Sequence, residues 1–434
     1  MWDEGFRLSQ YFSVNKLGIG MKWLLLCLLT GGMVGSASSL FLYGLDHVTD
    51  ARLSHPWLLW LLPAGGALIS WLYLKYGGAA AKGNNLLLEQ SYEESEVRVP
   101  LRMGPLVLLG TWMTHLFGGS AGREGTAVQI GGSLADQAGR WFKLSSQQRR
   151  VILLCGISSG FGSVFGTPLA GAVFGIELIV RGRRWRYSAL VPCLITSIVA
   201  DQVTRAWGTA HAHYSIGIVP SLSVALLAKV IGASVLFGLA ALVFSELTHF
   251  LKAWFARFLP YAPAKSFVGG ITVIALVYLV GTRDYIGLGL PLITQSFHEA
   301  VSPIAFAWKT LFTSVTLGAG FQGGEVTPLF AIGSLLGSAL AGFMHVSVPL
   351  LAAIGLISVF SGAANTPLAC FVMGLELFGT EGALYLFIGC MVAWICSLHT
   401  GIYASQRIGG IKSRLLHMAI PQTIGNAKLR NPKG

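Results

Sequence analysis

Charge is scarce in this chain: Asp, Glu, Lys and Arg together make up 11% of its 434 residues, about half the fraction of an ordinary soluble domain. With 53% hydrophobic residues and a mean hydropathy of +0.65, that scarcity excludes a water-soluble globular fold. Acids are the scarcer sign, 18 against 30 basic residues, and the tail from Ala404 onward has none. Cysteine is sparse too. Cys27, Cys155, Cys193, Cys370, Cys390 and Cys396 lie in apolar surroundings without CxxC spacing, which points to reduced buried thiols rather than a disulfide framework, redox pair or metal site. The basic residues carry no interleaved aromatic stripe, so the net charge of +12 does not indicate nucleic-acid binding.

Long apolar runs fill the space that charge leaves. They cover residues 23–43, 57–73, 151–180, 224–250, 267–280 and 382–394, the kind of window that crosses a hydrocarbon core of about 30 Å as a helix. The first begins too late, and has too many successors, for a removable signal peptide. The expected architecture is all-α and polytopic, one transmembrane transporter domain over 1–434. Its cations cluster between the runs: Arg140, Lys143, Arg149 and Arg150; Arg181, Arg183, Arg184 and Arg186; then Arg407, Lys412, Arg414, Lys428, Arg430 and Lys433. The positive-inside bias puts the RGRRWR loop and the C-terminus in the cytoplasm, with membrane lipid as a contact of the basic tail, residues 404–434.

The sequence repeats itself. TPLAGAVFGIEL from Thr167 and TPLACFVMGLEL from Thr366 agree at eight of twelve positions, 199 residues apart. GREGTAVQIGGSLAD from Gly122 and GGEVTPLFAIGSLLG from Gly323 agree at six of fifteen, a register that sets Glu124 against Glu325. Repeat 1 is expected over about 21–206 and repeat 2 over about 222–403.

Glycine-rich turns at membrane depth survive only where they are buried or line a polar cavity, because lipid offers no hydrogen bonds. At the start of a half-helix, freed N–H groups and the helix dipole favour an anion. Three turns have this form: Gly118, Gly119 and Gly122 before Glu124; Gly318, Gly320, Gly323 and Gly324 before Glu325; and Gly83 before Asn84, Asn85 and Leu86. Close helix packing is the competing use of small residues. Among acids in apolar context are Glu124, Glu177, Glu246, Glu325 and Glu376. Glu177 and Glu376 are repeat equivalents and read as structural, and Glu246 near His249 reads as an internally satisfied pair. Glu124 and Glu325 belong to the anion-binding turns, where a buried carboxyl can hold a proton beside an anion and compete with it when ionised.

GREGT at 122–126, GGEVTP at 323–328, the two TPLA-to-EL segments and the tyrosine of GIYASQ at 401–406 together resemble the CLC chloride channel and transporter superfamily. The resemblance implies a bundle of about 18 tilted, often incomplete helices in two inverted halves, and a homodimer with a pore in each subunit. It implies that Glu124 is the gating glutamate that carries the proton, and that Tyr403 contacts the central anion. No paired nucleotide-binding modules are expected after Tyr403, and no cofactor or metal.

Departures narrow the resemblance. The chloride members' GSGIP turn is GNNLLLE here, so Asn84, Asn85 and Leu86 cover the serine's place; GREGP is GREGT, with Gly125 and Thr126; GxFxP is GEVTP, with Val326 and Thr327. Leu178 stands where the chloride exchangers' internal proton glutamate would be. The combination resembles the bacterial fluoride/proton antiporter branch. It implies fluoride export against protons at the inner membrane, with Glu124 as gate, Glu325 as a second coupling carboxylate, and Gly83, Asn84, Asn85, Leu86, Arg123, Gly125, Thr126, Val326, Thr327 and Tyr403 along the anion path. Arg123 is expected to satisfy backbone carbonyls or another acid beside the turn. A chloride/proton exchanger and a passive channel are the alternatives within the family. An intramembrane hydrolase is the alternative outside it: Gly118-x-Ser120-x-Gly122 fits a nucleophile elbow, with His249 or His298 and Asp284 as partners.

Overall fold

The computed structural model describes residues 14–92, 98–179, 183–212, 214–299, 301–407, 412 and 423–425, with backbone only at 14–17 and 183–187. Of the basic clusters, Arg181, Arg414, Lys428, Arg430 and Lys433 lie outside the described residues, as do the side chains of Arg183, Arg184 and Arg186. The described chain is helical throughout, the only β contacts being two isolated bridges. In order the helices are α1 (Val14–Ser54), α2 (Leu62–Leu72), α3 (Asn84–Tyr92), α4 (Met103–Leu116), α5 (Glu124–Trp141), α6 (Ser146–Phe165), α7 (Pro168–Glu177) and α8 (Arg183–Ala206). They continue as α9 (Val224–Phe258), α10 (Ala262–Val280), α11 (Leu290–His298), α12 (Ala305–Gly318), α13 (Val326–Met344), α14 (Val348–Ala364), α15 (Pro367–Phe378) and α16 (Ala383–Cys396).

Among the described residues six helical stretches are long and apolar enough to cross a membrane. Others fall short: the 10 residues of α7 rise only about 15 Å. The apolar run at 151–180 is accordingly not one span. It breaks where Gly166 closes α6 in the left-handed region (φ 72°) and Pro168 opens α7. Asn365 (φ 56°) and Pro367 make the same break between α14 and α15.

Small residues let paired helices touch. A Cβ on Gly131 would collide with the Gly156 carbonyl across α5 and α6, and one on Gly333 with the Gly355 carbonyl across α13 and α14. The halves meet in an aromatic layer in which Phe161 and Phe360, 199 residues apart, stack with centroids 6.0 Å apart. They also lock reciprocally. The Glu177 carboxylate accepts from Leu368 N (3.0 Å) and Ala369 N (2.7 Å) at the start of α15, and Glu376 from Leu169 N (2.9 Å) and Ala170 N (2.7 Å) at the start of α7. Each repeat's glutamate thus satisfies the free amides of the other's half-helix.

The two glycine turns face each other. Gly122 N donates to Gly324 O (2.6 Å) and Gly324 N to Gly122 O (2.8 Å). This bridge and the Gly131/Gly333 contacts share a register of 202, which pairs Arg123 with Glu325 and Glu124 with Val326. The sequence alignment, which set Glu124 on Glu325, is one residue out. Backbone pairing and helix contacts fix the register, whereas the alignment followed a shared carboxylate.

Candidate ion pathway

Glu124 is the first residue of α5 and is 1% exposed. Its carboxylate reaches across the glycine bridge to the N-terminus of α13. There Oε1 accepts from Val326 N (2.5 Å), while Oε2 accepts from Thr327 N (3.2 Å), the Thr327 hydroxyl (2.8 Å) and Arg123 N (2.9 Å). Amides at a half-helix N-terminus form an anion cradle, and the carboxylate occupies it as an anion would. Glycine at 324 is needed for that reach, because a Cβ there would overlap Oε1.

Glu325 caps α13 and is partly exposed; it lies within electrostatic range of Glu124 and Lys252. Tyr403 is buried (6% exposed) within electrostatic range of both Glu325 and Glu124. Asn84 opens α3, and its side-chain nitrogen would stand 3.1 Å from a Cβ on Gly125, so its amide faces the start of α5. Among the described residues its buried Oδ1 has no hydrogen-bond partner, nor has Oε1 of Gln129, whose amide lies against Gly83 (φ 56°). Asn85 instead ties two segments together, its Oδ1 accepting from Ser405 N (3.0 Å). Leu86 is buried beside it. Thus α3, α5, α13 and the Tyr403 segment converge on one locus.

Two predicted residues are placed differently. The Thr126 hydroxyl pairs with that of Thr111 (2.6 Å), packing α5 on α4. The Arg123 guanidinium lies over the Phe165 ring (5.8 Å) and lines a cavity of about 20 Å³ with Tyr214, Thr327 and Phe330; its Nε has no partner among the described residues. No bond to a backbone carbonyl or acid forms at that atom, but a second acid, Asp46, lies with Glu124 within electrostatic range of the guanidinium.

Sequence reasoning missed several buried charges, among them Asp136 and Lys309. Asp136 is fully buried and accepts from Arg149 Nε (2.5 Å), Arg140 (3.3 Å) and Val99 N (3.1 Å), so Arg149 is an internal ion-pair partner rather than a loop cation. Lys309, also fully buried, donates to the carbonyls of Tyr285 (3.1 Å) and Gly287 (2.9 Å) and to Ser120 Oγ (3.0 Å). That serine is itself fully buried and bonded to Thr313 (2.9 Å), so the elbow-like Gly118-x-Ser120-x-Gly122 offers no accessible nucleophile. His249 bonds the Gly401 carbonyl, Asp284 bonds Thr282, and His298 is exposed at the end of α11. At the missing internal glutamate, Leu178 is buried and its carbonyl accepts from the Tyr92 hydroxyl.

Comparison with known proteins agrees with this geometry. The family model described as "Voltage gated chloride channel" matches residues 65–398. A "Chloride/fluoride channel protein" of Pseudomonas syringae pv. tomato is 49% identical over 93% of this chain and 89% of its own length. An "H(+)/Cl(-) exchange transporter ClcA" of Vibrio cholerae is 26% identical over 98% of this chain and 94% of its own. The crystal structure of a CLC-type fluoride/proton antiporter has a TM-score of 0.86 at 33% identity, covering 91% of this chain and 99% of that one. A slow cyanobacterial Cl−/H+ antiporter, at 22% identity and a TM-score of 0.73, shares the fold over 86% of this chain and 94% of that one. The chain is a multi-pass membrane protein and belongs to the voltage gated chloride channel family, with the fold of CLC transporters.

Proposed function

We propose that this protein is a proton-coupled antiporter that exports fluoride in exchange for protons. In this reading it is a homodimer of the bacterial inner membrane, with one pore per subunit, lipid around it, and the basic loops and C-terminus in the cytoplasm. The observation that carries the reading is the Glu124 carboxylate seated on Val326 N, Thr327 N, the Thr327 hydroxyl and Arg123 N. All of these donors serve an anion, each bond to a charged acceptor contributing about 1.5–3 kcal/mol. A protonated carboxyl is a poorer acceptor and must place its own O–H among groups that donate. Protonation therefore loosens Glu124 and frees the cradle for fluoride, while arrival of the ionised side chain expels fluoride. One site thus binds an anion or a carboxylate, and the proton decides which.

Fluoride is the most strongly hydrated halide, so a selective path must replace its shell with dense donors. The α13 amides, the Thr327 hydroxyl and the Asn84 side-chain N–H groups at the start of α5 supply them. Glu325, partly exposed beside this locus, is the second proton carrier in place of the buried Leu178.

The test is efflux from proteoliposomes with fluoride and chloride electrodes and external pH read together. Fluoride efflux above chloride, with proton uptake that vanishes in Glu124→Gln, is expected. Chloride flux equal to fluoride flux overturns the selectivity, and fluoride flux without protons in the unmodified protein makes it a passive channel, the activity suggested by the name of the Pseudomonas relative.

A further inference from the structure

The basic tail was expected to lie at the membrane surface, yet Lys412 is 2% exposed. Its Nζ donates to Asn365 Oδ1 (2.7 Å) and Ser397 Oγ (3.0 Å) and lies 5.5 Å from the centroid of the Trp394 ring. No carboxylate is among these partners. A lysine ammonium only donates, so it compels Asn365 to turn Oδ1 toward it. Asn365 Nδ2 is thereby aimed at the Thr400 carbonyl, to which it donates at 2.8 Å. The repeat equivalent of Asn365 is Gly166, which serves the same left-handed cap with no side chain. Asparagine at 365 therefore does more than cap α14: it joins Lys412 to the segment that carries Tyr403.

A second piece of the tail grips the same segment through contacts of its own. Ile424 N donates to Gln406 O (3.0 Å) and Gly425 N to Ala404 O (3.0 Å), with an antiparallel bridge from Arg407 to Thr423. The Ile424 side chain is 1% exposed and abuts Gly401. Between these holds the backbone is pinned at Ile402 N to Ala363 O (2.9 Å) and at Gln406 Nε2 to Ala364 O (3.0 Å). Burial pushes the Lys412 ammonium down to about 7, but the neutral amine also donates, so the hold does not depend on the charge.

From this arrangement we infer that Lys412 and residues 423–425 are positioning elements for transport, a strut that sets the height of Tyr403 in the ion path. The inference rests on the reading of Tyr403 as a pathway residue. The strut acts on geometry, and displacement of a positioned group by about 1 Å can cost up to about a hundredfold in rate.

The test uses the full-length protein in proteoliposomes. Lys412→Met and Ile424→Ala, separately, are expected to lower fluoride flux on the order of tenfold and to shift the fluoride-to-chloride ratio. Each is then made in a Tyr403→Phe background, where no further change is expected if the strut works through that phenol. The two substitutions remove different contacts of the segment, so Ile424→Ala keeps the test alive if Lys412→Met fails to fold. Flux equal to the unmodified protein in a folded tail variant, or the same loss in the Tyr403→Phe background, overturns the strut. Tyr403→Phe alone tests the reading beneath it: if it transports like the unmodified protein, the pathway assignment falls, and if only the tail variants fail to behave as stated, the strut alone falls.

Discussion

Replacing Thr327 by valine removes one hydroxyl and keeps the side-chain volume nearly constant, so it isolates a single donor of the anion cradle. The lost bond is the 2.8 Å contact to Glu124 Oε2; the amides of Val326 and Thr327 and the Arg123 N–H remain. A hydrogen bond to a charged acceptor is worth about 1.5–3 kcal/mol. Loss of one weakens the hold on an anion by roughly ten- to 150-fold, at about 1.4 kcal/mol per factor of ten. If fluoride and the carboxylate use the same donors, the substitution weakens both. In a Glu124→Gln background, where no carboxylate competes for the donors, the half-saturating fluoride concentration for efflux should rise by roughly tenfold or more on Thr327→Val, while Thr327→Ser, which keeps the hydroxyl, stays within a factor of about three. Initial rates of fluoride efflux against internal fluoride, read with an electrode, give both numbers. Unchanged fluoride dependence on adding Thr327→Val to folded Glu124→Gln would refute the claim that the carboxylate marks the anion's seat.

Gly324→Ala puts a Cβ onto the Glu124 carboxylate and is expected to expel it, giving fluoride flux that no longer carries protons; parallel pH and fluoride traces check this. Glu376→Gln turns the acceptor for Leu169 N and Ala170 N into an amide and should lower thermal stability by about 1–3 kcal/mol with no change in the fluoride-to-proton ratio. Asp136→Asn leaves Arg149 buried beside a neutral amide, and loss of such a partner costs about 3–5 kcal/mol. Its yield of folded protein in detergent should collapse, whereas Asp136→Leu with Arg149→Met should recover part of it.

What was legible in the sequence was local. Glu124 sits in one contiguous motif, and the half-helices α7 and α15 announce themselves through glycine or asparagine before and proline after each break. Asp136 and Arg149 are 13 residues apart and look like separate features of a basic loop until α5 and α6 fold together. Lys309 meets Ser120 across 189 residues, and no spacing rule connects them. The repeat register failed for a related reason: two glutamates invited alignment, whereas the bridge between Gly122 and Gly324 obeys backbone pairing alone. Lys412 was grouped with surface cations because composition gives charge and not burial.

The corrected register changes what the site's near-symmetry means. Gly122 and Gly324 are equivalent, so Glu124 corresponds to Val326 and Arg123 to Glu325. At the first helical position one repeat supplies the carboxylate and the other the amide that donates to it, so two equal turns make one carboxylate seat rather than two. At the cap position the repeats carry opposite charges, and both residues are only partly buried. Arg123 lines a cavity with Thr327, whereas Glu325 lies in range of Lys252. Under the proposed function, an anion would be drawn toward the arginine side and a proton toward the glutamate side. Charge removal at the two caps should therefore act differently. Arg123→Gln should weaken fluoride binding while each transported ion keeps its proton; Glu325→Gln should leave fluoride binding nearly intact and lower the protons moved per fluoride. Fluoride titration by calorimetry, with paired electrode traces from proteoliposomes, separates the two. Equal loss of binding and coupling in both variants would mean that the opposed caps serve folding and do not divide the ions between them.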